Sequence, residues 1–99
     1  MVLSYPVATS RDCFGGEVLI EVTLPRGIER ADLERVRGAA SLEVLDGFPR
    51  PFFRIDVPGR FLLTGLLLTT SVRVTVRQVH RDRAFEVAQE AARELMGEA

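Results

Sequence analysis

Residues 52–79, FFRIDVPGRFLLTGLLLTTSVRVTVRQV, decide the fold of this 99-residue chain. Apolar and polar residues alternate over 52–57 and again over 72–79, the period of strands that bury one face. Residues 61–69, between them, are almost continuously apolar, so we expect a strand buried on both faces. A Pro-Gly turn signal separates the first two segments. The stretch therefore predicts three successive strands of one sheet.

The first half of the chain carries three more predicted strands and a short helix. Strands are expected over residues 2–7, 17–24 and 40–46, the second being the clearest because its apolar residues alternate strictly. The apolar spacing predicts a helix over 29–37, followed by a terminating glycine. Because strand–helix–strand connections are nearly always right-handed crossovers, we expect the connection over 17–46 to be right-handed and to place strands 17–24 and 40–46 parallel to each other.

The last predicted element is an amphipathic helix over residues 83–96. Apolar residues recur there at helical spacing, and we expect five of them to be buried: Phe85, Ala88, Ala92, Leu95 and Met96. Asp82 stands just before the helix, where an aspartate commonly accepts hydrogen bonds from free N–H groups. A row of glutamates follows the other side of the helix, which favours a solvated face over contact with a basic partner.

Together these elements predict a single α+β domain over residues 1–99. Helices that do not alternate regularly with strands favour a largely antiparallel sheet, here of five to six strands with two helices on one face. The arrangement resembles a ferredoxin-like sandwich, although this chain ends in a helix where that fold ends in a strand. The resemblance implies an architecture and no particular function.

The composition narrows the classes of function. A net charge of −1 argues against a duplex-DNA-binding protein, whose affinity comes largely from neutralised phosphates. The single cysteine, Cys13, cannot form an internal disulfide, and the amino terminus lacks the pattern of a signal peptide. The most apolar run, residues 61–68, is shorter than the roughly 20 residues that span a bilayer. We therefore expect a cytoplasmic protein that does not bind membranes.

Residue types suited to catalysis or metal binding are scarce. Cys13, beside a Gly-Gly turn, is a candidate nucleophile, and the sole histidine, His80, is its candidate base. Nothing in the sequence places the two together, so a loop cysteine and a surface histidine are the preferred interpretations. One histidine without a cluster of carboxylates or thiols does not predict a metal site. No glycine-rich nucleotide motif occurs, and we expect no cofactor and favour a non-enzymatic protein.

Arginines are concentrated in the second half of the chain. Residues 50–83 contain seven arginines and two acids, although the whole chain is slightly acidic. Arg73 and Arg77 lie four apart in a predicted strand and therefore share one face of the sheet. If Arg54 and Phe52 lie on that face as well, the sheet presents cations beside an aromatic ring. Such a surface is suited to RNA or single-stranded nucleic acid.

Two other interpretations of the same face stay open. The arginines could be solvated or paired with acids of a neighbouring strand, such as Glu17 and Glu21, or they could form a protein interface. We favour a small interaction or accessory module that binds itself or another protein through its sheet, because catalytic residue types are few and the strands are rich in large apolar residues. Nucleic-acid binding is the alternative, and a thiol enzyme using Cys13 is the second alternative.

Overall fold

One six-stranded sheet carries the fold in the computed structural model, which describes residues 5–12, 14–47 and 49–97. The strands are Val7–Asp12 (β1), Val18–Thr23 (β2), Ser41–Leu45 (β3), Phe52–Val57 (β4), Phe61–Leu66 (β5) and Ser71–Val76 (β6). The helices are Arg30–Leu33 (α1) and Ala84–Met96 (α2), with short 3-10 turns at Phe14–Gly16 and Gln78–Arg83. The chain is therefore an α+β protein that ends in its long helix.

The strands lie in the order β1-β2-β6-β5-β4-β3, and every neighbouring pair is antiparallel. Strands β2 and β3 run in the same direction, as expected for 17–24 and 40–46, but they are not neighbours: β2 pairs with β1 and β6, and β3 pairs with β4 at the opposite edge. The tight β4–β5 and β5–β6 turns make a three-stranded meander that lies between them. The ferredoxin-like arrangement with two helices on one face is not confirmed, since α1 is a single turn.

Alternate strand residues and one face of α2 build the core. The inward residues of the four central strands are almost all buried, and α2 packs against β2, β6 and β5. The helix contributes mainly small residues to this contact: Ala84, Val87, Ala88, Ala91, Ala92 and Leu95. Small side chains let the helix approach the sheet closely, and each large apolar side chain buried there contributes about 1.5–3 kcal/mol.

The structure corrects two predictions about burial. The segment 61–69 is not a strand buried on both faces: β5 ends at Leu66, and Leu62 and Thr64 are only half-buried. The reason is that α2 covers one face of the antiparallel sheet and no described element covers the other. Phe85 is not buried either, with 57% of its surface exposed, because the buried face of α2 runs from Ala84 through Val87 and Ala88.

Several predicted boundaries also shift. Asp82 lies inside the 3-10 turn Gln78–Arg83, and Arg83 occupies the N-cap position of α2 without a side-chain cap. The predicted strand at 2–7 begins at Val7 and continues to Asp12. Residues 2–4 of that prediction lie outside the described residues.

A buried carboxylate organises the long connection between β2 and β3. Asp32 is 1% exposed and accepts two hydrogen bonds from the Arg26 guanidinium, at 2.6 and 2.8 Å, and one from Arg35 at 2.8 Å. Its Oδ2 also accepts the backbone N–H of Glu29 at 2.8 Å, which satisfies a free donor at the start of α1. The hydrogen bonds from Arg26 lower the pKa of Asp32 against the opposing effect of burial, and the Glu29 N–H lowers it further.

Candidate interaction surface on the open face of the sheet

The face of the sheet turned away from α2, here called the open face, carries the residues between the core positions of each strand. None of its residues in the four central strands is buried. Strand alternation dictates this division, because successive side chains point to opposite faces and only one face packs on the helix. The open face is therefore an extended surface on which this fold can meet a partner.

The four predicted binding residues lie together on the open face. Phe52 and Arg54 stand on β4, Arg73 stands on β6 and Arg77 follows the end of β6. Cross-strand register connects them, because Arg54 is opposite Thr64 of β5 and Thr64 is opposite Arg73. Their shared placement agrees with the alternation in the sequence. Binding by these residues stays a prediction.

Each of the three arginines pairs with one or two carboxylates of the same face. Arg54 lies 3.5 Å from Glu43 of β3, and Arg73 lies 3.9 Å from Glu21 of β2. These two pairs are long and exposed, with 48% and 64% of the arginine side chains accessible, so each contributes at most about 1 kcal/mol. The two guanidinium groups are consequently free to exchange their partners.

Arg77 is held more firmly than the other two arginines. Its Nη1 donates to Glu17 at 3.0 Å and its Nη2 donates to Asp56 at 2.8 Å, so one guanidinium joins β2, β6 and β4. The hydrogen bond to Glu17, followed by that to Asp56, raises the pKa of Arg77 above its ordinary value. Arg77 therefore serves as a cross-strand tie, and its charge is largely satisfied within the domain.

The acidic partners were only partly predictable. Glu17 and Glu21 were expected beside the arginines, and both are there. The sequence analysis did not predict that Glu43 and Asp56 contact the arginines. These contacts depend on how β3 pairs with β4 and on the place of β4 beside β5 in the sheet. Strand alternation places Asp56 on the same face as Arg54, and that signal is present in the sequence.

Large apolar side chains occupy one end of the open face. Leu45, Phe52 and Leu66 lie side by side across β3, β4 and β5, and Leu45 and Leu66 are 50% and 40% exposed. A groove of about 330 Å³ lies between Phe52, Leu66 and the Pro49-Arg50 segment. A second groove of about 410 Å³ runs from Phe52 across β5 to Ser71, Arg73 and Glu21. Apolar anchors beside grooves are typical of protein-binding surfaces.

The candidates for catalysis and metal binding do not form a site in the described part of the chain. Cys13 lies outside the described residues. The Nε2 of His80 lies 2.7 Å from the carbonyl oxygen of Gly59, so this imidazole ties the turn after β6 to the β4–β5 turn. No group of three His, Cys, Asp or Glu side chains converges among residues 5–12, 14–47 and 49–97.

The glutamates along α2 are engaged within the domain. Glu94 accepts hydrogen bonds from Arg60 at 2.8 Å and from the backbone N–H of Arg37 at 2.9 Å. Glu86 accepts one from Arg83 at 2.9 Å. These contacts leave the helix ridge a poorer candidate for partner binding than the open face of the sheet.

None of the helices in the described residues is long and apolar enough to cross a membrane.

Comparisons with known proteins add no further constraint. No family model, no curated protein and no solved structure matches this chain.

Proposed function

We propose that this protein is a small non-enzymatic interaction domain that associates with a second copy of itself through the open face of its sheet. The observation that carries the proposal is a sheet face with large half-exposed apolar residues and a balanced set of charges. Four arginines share that face with four acids: Arg11, Arg54, Arg73 and Arg77 with Glu17, Glu21, Glu43 and Asp56. A face that carries both signs can complement a copy of itself.

The balance of charge favours a protein over a nucleic acid as the partner. Nucleic-acid surfaces owe most of their affinity to an excess of arginine and lysine over acids. On this face the local arginine excess that the sequence shows at residues 50–83 is cancelled by acids from β2, β3 and β4. RNA or single-stranded nucleic acid is therefore the second candidate, supported by Phe52 beside Arg54. It predicts binding that weakens with added salt.

We also propose a cytoplasmic location for the protein, since its one cysteine provides no internal disulfide.

The size of the open face suits a dimer of moderate stability. Six strands about 4.8 Å apart, each about six residues long at a rise of about 3.3 Å, cover roughly 550 Å² in projection. Specific interfaces bury about 800 Å² of accessible surface on each partner, and the accessible area of a side-chain surface exceeds its projection. We therefore expect dissociation constants in the micromolar range. Phe52 is the side chain that we expect to anchor this interface.

The matched variants Phe52→Arg and Phe85→Arg test the proposal. Both place an arginine at a phenylalanine outside the core: Phe52 is partly buried on the open face, and Phe85 is exposed on α2 at the other side of the sheet. We expect Phe52→Arg to weaken self-association at least about tenfold, because it removes the aromatic anchor and adds charge to the apolar end of the face. The dissociation constants follow from sedimentation equilibrium. Equal effects of both variants, or an effect of Phe85→Arg alone, would contradict the proposal.

A further inference from the structure

The charges in the central row of the open face follow a symmetric order across the strands. Cross-strand register places Glu21, Arg73, Thr64, Arg54 and Glu43 side by side on β2, β6, β5, β4 and β3. The signs therefore run negative, positive, neutral, positive, negative. Most homodimers are built on a two-fold axis that brings the same patch of both copies together, so this row limits how two open faces can meet.

Resting on the proposed self-association, we propose that two copies stack face to face about a two-fold axis that runs parallel to the strands between β5 and β6. This axis passes through the middle of the sheet, so all six strands of one copy lie over all six of the other. It places β2 over β4 and β6 over β5 of the second copy. Glu21 of each copy then faces Arg54 of the other, giving two intermolecular ion pairs.

The side-chain sizes fit the same axis. Outside the central charged row, the β4–β5 half of the face carries the long apolar residues Phe52, Leu62 and Leu66, and the β2–β6 half carries three short polar ones, Thr23, Ser71 and Thr75. The rotation brings these halves together and sets three long side chains over three short ones: Phe52 over Thr23, Leu66 over Ser71 and Leu62 over Thr75. The 410 Å³ groove beside Ser71 offers space for such a side chain. Leu19 would face Asp56, whose carboxylate is already bound by Arg77.

Other two-fold axes are less favourable. An axis along β5 itself would set Arg73 over Arg54 of the second copy, and an axis across the strands along the central row would set each of these arginines over its own equivalent. Like charges placed opposite each other across an interface disfavour association. An axis between β2 and β6 pairs Glu21 with Arg73, but it leaves β3 and β4 without a partner. The central axis avoids like charges and covers the most surface.

Charge exchange between two variants tests this register. Glu21→Arg alone sets two arginines opposite each other at both intermolecular contacts, and Arg54→Glu alone sets two glutamates there. We expect each variant by itself to dissociate at least tenfold more readily than the wild type. Mixed together, the two variants restore opposite charges at both contacts, so a one-to-one heterodimer should form with near wild-type affinity. Native mass spectrometry resolves the heterodimer from either homodimer by mass, and circular dichroism checks that each variant folds.

Matched mixtures separate the possible outcomes. A mixture of Glu21→Arg with Arg73→Glu should form far less heterodimer than the mixture of Glu21→Arg with Arg54→Glu. If the mixture with Arg73→Glu formed the heterodimer and the mixture with Arg54→Glu did not, the central axis would be wrong and the axis between β2 and β6 would be favoured. Glu86→Arg, on α2, should leave association unchanged. If the wild type is a dimer but no mixture of variants restores dimerisation, the proposed register is wrong and self-association stands. If the wild type is a monomer, both the register and the self-association are wrong. If either charge reversal disturbs folding, Glu21→Lys with Arg54→Asp makes the same exchange.

Discussion

Replacing Asp32 with alanine is expected to lower the free energy of unfolding by about 3 kcal/mol, the largest effect of any polar substitution in this fold. The variant removes a buried acceptor of four hydrogen bonds, three of them from arginines. It leaves the Glu29 N–H at the start of α1 without its acceptor. Arg26 and Arg35 are about half exposed and can return to water, which keeps the loss below that of a fully buried ion pair.

Chemical denaturation of Asp32→Ala and Asp46→Ala measures this effect against a matched control. Asp46 also pairs with an arginine of α1, Arg30, but both side chains are more than half exposed. Exposed pairs contribute little, so Asp46→Ala should change the free energy of unfolding by less than about 0.5 kcal/mol. Equal losses in the two variants would show that burial of Asp32 is not what organises the connection.

The same carboxylate predicts a pH dependence with a definite sign. The pKa of Asp32 is lowered in the folded protein, so the folded state holds its proton less tightly than the unfolded chain. Its contribution is therefore complete above the unfolded pKa, about 4, and is lost as pH falls through the lowered folded pKa. The stability difference between wild type and Asp32→Ala should be constant near neutral pH and should shrink below about pH 4. A difference that grew on acidification would contradict this assignment.

Gly65→Val is expected to destabilise the protein by about 2.5 kcal/mol through overpacking. A Cβ at Gly65 would lie 3.1 and 3.2 Å from two ring carbons of Phe53, which is fully buried, and 3.4 Å from the carbonyl oxygen of Ser71. The ring of Phe53 thus occupies the space that a side chain at position 65 requires. Because Phe53 is enclosed on all sides by the core, it has little room to move.

A double-mutant cycle distinguishes this clash from a general loss of strand stability. Phe53→Leu shortens the opposing side chain, so the combined cost of Phe53→Leu and Gly65→Val should be smaller than the sum of the single costs by about 1 kcal/mol. Gly47→Val is the control, because no atom lies within 4 Å of a Cβ built there. Strictly additive costs in thermal unfolding would rule out the contact with Phe53 as the cause.

Local patterns in the sequence predicted most elements, because they depend on neighbouring residues. The alternation of apolar and polar residues predicted both ends of β4, and the helical spacing predicted the start of α2 to within one residue. The same alternation placed Phe52 beside Arg54 on one face of β4, and it placed Arg73 on the outer face of β6. Strand order was not accessible in this way, because the return of β6 to pair with β2 depends on contacts about 50 residues apart.

The failures follow from layer structure and cross-strand pairing. An apolar run such as 61–69 predicts burial on two faces only if a second layer exists, and this fold places its long helix on one face. The partners of the arginines depend on register between strands, which no local pattern specifies. The Glu29-Asp32 spacing at the start of α1 is a capping pattern that the sequence does contain, and it marks the residue that proves to be buried.

Sedimentation velocity of the wild-type protein, from about 1 to 300 µM, tests the central claim most directly, because it spans the affinity expected for this interface. We predict a reversible shift from the 11.0 kDa monomer to a dimer as concentration rises, with Phe52→Arg displacing the shift to higher concentration. A wild-type protein that sediments as a monomer throughout this range would contradict self-association through the open face.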